Sequence, residues 1–214
     1  MYQFELPPRY EDCSDMAHMA LQLARLSSRL ALEERTLVNH PTGRAENVAE
    51  HSHMLALVAP AIAEAFYPQL DAGLVSRFAT VHDVVEAYVG DTTTHKITEE
   101  ELKLKQEREA KGLEQLLIEY SWLSNFTRLV EQYEAQEIPE ARFVRIIDKW
   151  MPILVHFSDG GKTLKEYASS GELKNNISTN AKRLTAKYPE YEELIAVRAE
   201  LSRLSSRHLL QTEL

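Results

Sequence analysis

Sustained apolar patterns along the 214-residue chain have helical rather than strand spacing. Met16, Met19, Leu23, Leu26 and Leu30 form one stripe of a first helix, and that stripe is expected to face the core. The segment HPTGRAEN (40–47) reads as a turn leading into a second helix over about residues 45–66. Pro60 lies inside that helix; it has no amide hydrogen for the Ala56 carbonyl and crowds the preceding turn, so it predicts a kink. Asp71 is a candidate cap for a third helix running to about Val89. That reading puts His82 and Asp83 near the middle of a helix and Asp91 just past its end, in the polar loop GDTTTHK (90–96).

Thr98 and Glu101 have the spacing of a capping box ahead of a long charged helix. The mixed charges of ITEEELKLKQEREAKGLEQ suit a solvated face with local ion pairs and need no enzymatic explanation. Further helices are expected over about 122–136, 140–157, 172–187 and 190–208, with FSDGGKTLKEYASSG (157–171) as a loop holding one short helical turn. Hairpin signals are missing, so the pattern predicts an all-α helical bundle with additional C-terminal helices. An N-terminal arm and core are expected over 1–157, and a helical extension packed on that core over 158–214.

Composition narrows the class without naming a chemistry. The chain is 44% hydrophobic and 27% charged, which suits one globular unit with a sizeable core. With 33 acidic against 24 basic residues its formal charge is −9, which disfavours broad contact with a nucleic-acid polymer. Cys13 is the single cysteine, so neither an intrachain disulfide nor a cysteine-rich zinc knuckle can form. The opening residues lack signal-peptide character and no apolar run is long enough to span a bilayer, so a cytoplasmic setting away from membranes is expected.

Four polar residues interrupt this apolar helical pattern: His51, His82, Asp83 and Asp148. Imidazole nitrogens and carboxylate oxygens on three different helices suit one divalent ion such as Mn²⁺, Fe²⁺, Co²⁺, Ni²⁺ or Zn²⁺, whereas two imidazoles disfavour a Ca²⁺ or Mg²⁺ cage. Taken alone, His51 reads more readily as a structural histidine; the adjacent His82 and Asp83 shift that balance towards a ligand set. His53 lies about 200° round a helix from His51 and is expected to be structural or supporting. Met54, Phe66, Phe78 and Trp150 read first as core residues.

The stretches ENVAEHS around His51, VHDVVEAYVGD around His82 and Asp83, and RIIDKW around Asp148 resemble the HD-domain phosphohydrolases, and within them the small 5'-deoxynucleotidase branch. The resemblance covers about residues 18–156. It implies a metal held by His51, His82, Asp83 and Asp148, with Mn²⁺ or Co²⁺ favoured, and places Glu86 and Asp91 in the reaction cleft. One of those two carboxyl groups is expected to position the water and the other to manage the proton of the leaving group, with the division open. Glu50 is expected either to orient a ligand or to make a surface contact.

The resemblance further implies removal of phosphate from (deoxy)nucleoside 5'-monophosphates. The alternatives are hydrolysis of nucleoside triphosphates by the same family chemistry, or a noncatalytic nucleotide-sensing or interaction module. Arg44 matches a basic position before the first histidine motif and is expected either to contact phosphate or to brace its loop. His95 and Lys96 are further candidates for the anion, while Lys149 is not expected to contact it directly. Relatives carry an Arg-Trp pair upstream; Arg35 falls near the arginine position but Thr36 stands where the aromatic belongs, which loosens the link to a 2'-deoxy sugar. A homodimer is implied, with Leu194, Leu201 and Leu204 as candidates for extending its interface.

Overall fold

The computed structural model describes residues 12–39, 42–91, 98–167 and 170–210. Eleven α-helices and two strands are present among them: α1 Asp15–Leu32, β1 Glu34–Asn39, β2 Ala45–Asn47, α2 Val48–Phe66, α3 Ala72–Val81, α4 Glu86–Val89, α5 Glu99–Glu119, α6 Ser124–Ala135, α7 Pro139–Asp148, α8 Met151–Ser158, α9 Lys162–Tyr167, α10 Ser170–Lys187 and α11 Glu192–Ser205. Side-chain caps fix several of their starts. Asp71 accepts from the Leu74 amide at 3.0 Å, and Thr98 with Glu101 forms the expected capping box. At α2 a second box links Asn47 and Glu50, each side chain accepting from the other's backbone amide.

Four features depart from the sequence pattern. A short antiparallel hairpin joins β1 to β2, pairing Glu34 with Asn47 and Asn39 with Ala45 through an irregular register. With residues 45–47 in this hairpin, α2 starts at Val48. The third helix ends at Val81 rather than near Val89. The His82 ring donates through Nδ1 to the Ala79 carbonyl at 2.9 Å, and the amides of Val84, Glu86, Ala87 and Tyr88 each bond three residues back, tightening the chain before α4. His82 and Asp83 therefore occupy a break between helices, where their side chains are aimed by a turn.

The expected 140–157 helix is likewise two. Pro152 has no amide hydrogen for the Asp148 carbonyl, so α7 stops at Asp148 and α8 begins with Pro152 in its first turn, where the missing donor is harmless. Finally, Met16 and Met19 are exposed while Leu26 and Leu30 are buried, because only the second half of α1 meets the core. Phe66 is exposed as well, in contrast to Phe78 and Trp150. Pro60 lies inside α2, which continues on both sides of it.

The core joins α2, α3 and α7 around Leu55, Phe78, Tyr133, Phe143, Ile146, Ile147 and Met151. Tyr188, Tyr191, Leu194 and Ile195 belong to the same cluster, so the start of α11 packs on its own chain. Leu201 and Leu204 are half-buried. Arg29 on α1 ties down α4: it lies 4.2 Å from the Tyr88 ring centroid, donates to the Ala87 carbonyl at 3.0 Å and pairs with Glu119 at 3.6 Å. Tyr88 donates to the same Glu119 at 2.6 Å.

Gly112 lets α5 approach α4 closely. A Cβ there would lie 2.6 Å from Val89 Cγ1 and 3.2 Å from Val85 Cγ1, both on stiff β-branched side chains. Overpacking costs about 1–3 kcal/mol and exceeds the up to ~1 kcal/mol that alanine gains in helix propensity. Gly112→Ala is therefore expected to lower the melting temperature by about 2–8 °C; an unchanged Tm in a thermal melt would show that α4 and α5 can separate without loss.

Candidate metal centre

Three helix boundaries deliver the polar cluster to one point. His51 sits one turn into α2, fully buried, where the Asn47–Glu50 capping box fixes the helix start. His82 and Asp83 come from the break after α3, and Asp148 is the last residue of α7. One nitrogen from each histidine and one Asp83 oxygen lie within 4.8 Å of one another. His51 Nε2 is 3.0 Å from Asp148 Oδ1 and 3.5 Å from Asp83 Oδ2. His82 Nε2 is 2.8 Å from Asp83 Oδ2 and 3.9 Å from Asp148 Oδ1. All four candidate ligands are thus brought together.

The donor set fits a divalent ion. With Nδ1 of His82 committed to the Ala79 carbonyl, a neutral ring leaves Nε2 as its acceptor, and Nε2 is buried facing Asp83 Oδ2 at 2.8 Å. His51 Nδ1 is also buried without a hydrogen bond and faces Glu46 Oε2 at 4.0 Å, the side on which a ligating histidine commonly finds a carboxylate. Burial lowers the His51 pKa and favours the neutral ring, with Asp148 opposing. His82 is raised: burial works against its charged form, but Asp83 outweighs it. Burial also opposes ionisation of Asp83 and Asp148, yet both are held below the usual carboxylate range, Asp83 chiefly by His82 and Asp148 by Lys149 and His51.

Arg35 stands beside this cluster on β1, 3.4 Å from both Asp83 Oδ2 and Glu46 Oε2. Burial would discharge it, but Asp83, Asp148, Asp91 and Glu86 together keep its pKa raised. Glu46 went unnoticed in the sequence as a site residue; it is buried between the half-buried Ala45 and Asn47 and so turns inward. Burial pushes its carboxyl up to about 7, opposed by Arg35 and assisted by Glu50 and Asp91.

Glu86 opens α4 with Oε2 buried and without a hydrogen-bond partner. Burial, then the charges of Asp83 and Asp91, push this carboxyl up to about 10. Asp91 is half-buried after Gly90, whose φ of +73° makes the turn out of α4.

Other candidates fall elsewhere. Arg44 is turned to Glu50, with both guanidinium nitrogens on its carboxylate, the second contact at 2.8 Å, so the bracing alternative describes its present contacts. Glu50 accordingly serves the helix start and this surface pair. His53 is exposed. Lys149 reaches Asp148 Oδ2 at 2.6 Å because the chain leaves the helix immediately after Asp148. His95 and Lys96 lie outside the described residues.

A helical bundle whose helix ends bring two histidines and two aspartates together offers a cluster that could hold a metal ion, as metal-dependent hydrolases require. A family model for the HD domain matches residues 28–192, and the chain belongs to the HD-domain family. It is 30% identical over 156 residues to the 5'-deoxynucleotidase hdd1 of Schizosaccharomyces pombe, covering 68% of this chain and 77% of that one. It is 34% identical over 140 residues to the 5'-deoxynucleotidase HDDC2 of Homo sapiens, covering 64% and 67%. Among solved structures, a protein of Magnetospirillum magnetotacticum MS-1 described as a predicted metal-dependent phosphohydrolase superposes with a TM-score of 0.68 at 26% identity, over 91% of this chain and 94% of the other. Membership and likenesses together support a metal-dependent phosphohydrolase.

Proposed function

We propose that the protein releases phosphate from nucleoside 5'-monophosphates, with deoxynucleotides favoured, at a single divalent ion held by His51, His82, Asp83 and Asp148. The observation that carries this reading is the convergence of those four side chains from three helix ends, with Nε2 of His82 buried against Asp83 Oδ2 at 2.8 Å. A divalent ion bound there supplies positive charge for the phosphoryl oxygens and acidifies the attacking water; Mn²⁺ or Co²⁺ is the favoured choice.

The chain's own groups supply the rest. Arg35, kept charged by the surrounding carboxylates, offers its guanidinium to the equatorial oxygens, where charge builds in phosphoryl transfer. Glu86, whose buried Oε2 has no other hydrogen-bond partner, holds a proton for the departing ribose 5'-oxygen. Asp91, at the exit of the same short helix, orients the attacking water. Glu46 sets Arg35 and faces His51, and so acts through both.

The same reading takes residues 1–157 as the catalytic core and 158–214 as an extension packed on it, in a cytoplasmic homodimer acting on a free nucleotide. None of the helices among the described residues is long and apolar enough to cross a membrane.

The test is inorganic phosphate release from a panel of ribo- and deoxyribonucleoside 5'-monophosphates with Mn²⁺, Co²⁺ or chelator. Metal-dependent release greatest for the deoxy forms is the expected result. No release from any monophosphate, alongside turnover of triphosphates, would reject the substrate class.

A further inference from the structure

Tyr133 on α6 is fully buried and its hydroxyl has no hydrogen-bond partner. Its ring stands edge-on to His82, with centroids 6.1 Å apart, and is packed on its other contacts by Phe78 at 5.9 Å. The Arg145 guanidinium lies 4.8 Å from the ring centroid and is held by Glu134 at 3.7 Å. A polar atom enclosed in this way destabilises the fold unless something bonds to it. Apolar packing explains the ring, and phenylalanine would supply it without that penalty. The hydroxyl itself is unexplained by the packing.

Its surroundings point to an anion. The ring stands beside candidate ligand His82, and a neutral phenol has one O–H to donate. Arg145 lies over the face of the ring and is paired with Glu134. Arg35 approaches Asp83 from β1, whereas Tyr133 stands on α6 with its ring beside that of His82. A tetrahedral phosphoryl group needs donors from more than one direction.

We propose that the Tyr133 hydroxyl is a substrate-contacting residue that donates a hydrogen bond to a phosphoryl oxygen bound at the His51–His82–Asp83–Asp148 centre. This rests on the phosphohydrolase reading and adds to it the group that completes the anion's binding. The bond forms when phosphate enters, and until then the hydroxyl is carried at the expense of stability.

Tyr133→Phe tests this through three measurements: the melting temperature of the metal-free protein, phosphate release by the Mn²⁺-loaded protein, and protection of the loaded protein against melting by inorganic phosphate. The variant is expected to melt at the wild-type temperature or a few degrees higher, to lose about 10- to 100-fold in kcat/KM, and to lose most of the protection by phosphate. Wild-type turnover and protection in Tyr133→Phe would overturn the proposal. So would a lower melting temperature with activity falling only in proportion to the unfolded fraction. If the wild type turns over no nucleotide but its protection by inorganic phosphate is lost in the variant, the nucleotide reading fails and the Tyr133 contact stands. A wild type that phosphate does not protect overturns the contact itself.

Discussion

His82→Ala is expected to remove metal uptake and to lower phosphate release by at least about a thousandfold, the loss that follows when several kcal/mol of charge stabilisation disappears. His82 is the most constrained of the four candidate ligands: its ring is buried, its Nδ1 is fixed on the Ala79 carbonyl and its Nε2 faces Asp83 Oδ2 at 2.8 Å. Without the imidazole, the remaining nitrogen and two carboxylates form an incomplete set around a new cavity. Metal saturation at about a hundred times Kd stabilises a protein by about 2.7 kcal/mol, or roughly 5–10 °C in Tm for a chain of this size. That shift should be present in the wild type and absent in the variant. A His82→Ala protein that still gains the full shift and retains one equivalent of metal by elemental analysis would place the ion elsewhere.

Glu86→Gln is expected to keep metal and substrate binding and to lose about 10²- to 10⁴-fold in kcat, the range for removing a positioned proton donor. Burial and the neighbouring Asp83 and Asp91 charges push the Glu86 carboxyl up to about 10, so it carries a proton near neutrality. Glutamine keeps the volume and a hydrogen-bond donor but cannot give that proton up. A side chain that only fills space or donates a hydrogen bond would therefore tolerate the change. Equal kcat in wild type and Glu86→Gln, measured at saturating substrate, would move the proton to Asp91 or to solvent.

The candidate ligands were legible because burying imidazole and carboxylate in apolar helices demands compensation, and His51 and Asp148 stand out from such helices in one dimension. Asp71 and the Thr98–Glu101 pair were legible because capping depends on residues three apart. The break after Val81 was hidden because the apolar period continues through Val84 and Val85; what ends α3 is a side chain taking a backbone carbonyl and a run of tight turns. Pro152 did carry the signal for the division between α7 and α8, since its missing donor falls on Asp148.

Glu46 lay in plain view beside Asn47, but its inward direction depends on the β1–β2 hairpin, in which a segment that reads as a turn pairs with one given no element in the sequence pattern. Arg44 shows the converse. Its spacing before His51 invites a phosphate contact, yet Glu50 is six residues away and engages it first. Tyr133 could not be singled out in sequence, since a tyrosine on an apolar stripe usually finds a partner for its hydroxyl, and only the packing shows that this one has none.

Diffraction from crystals grown with Mn²⁺ and measured at the manganese absorption edge tests the central claim most directly. The account predicts one strong anomalous peak within about 2.0–2.3 Å of His51 Nε2, His82 Nε2 and a carboxylate oxygen from each of Asp83 and Asp148. A peak ligated by other side chains, with these four still paired to one another, would contradict it.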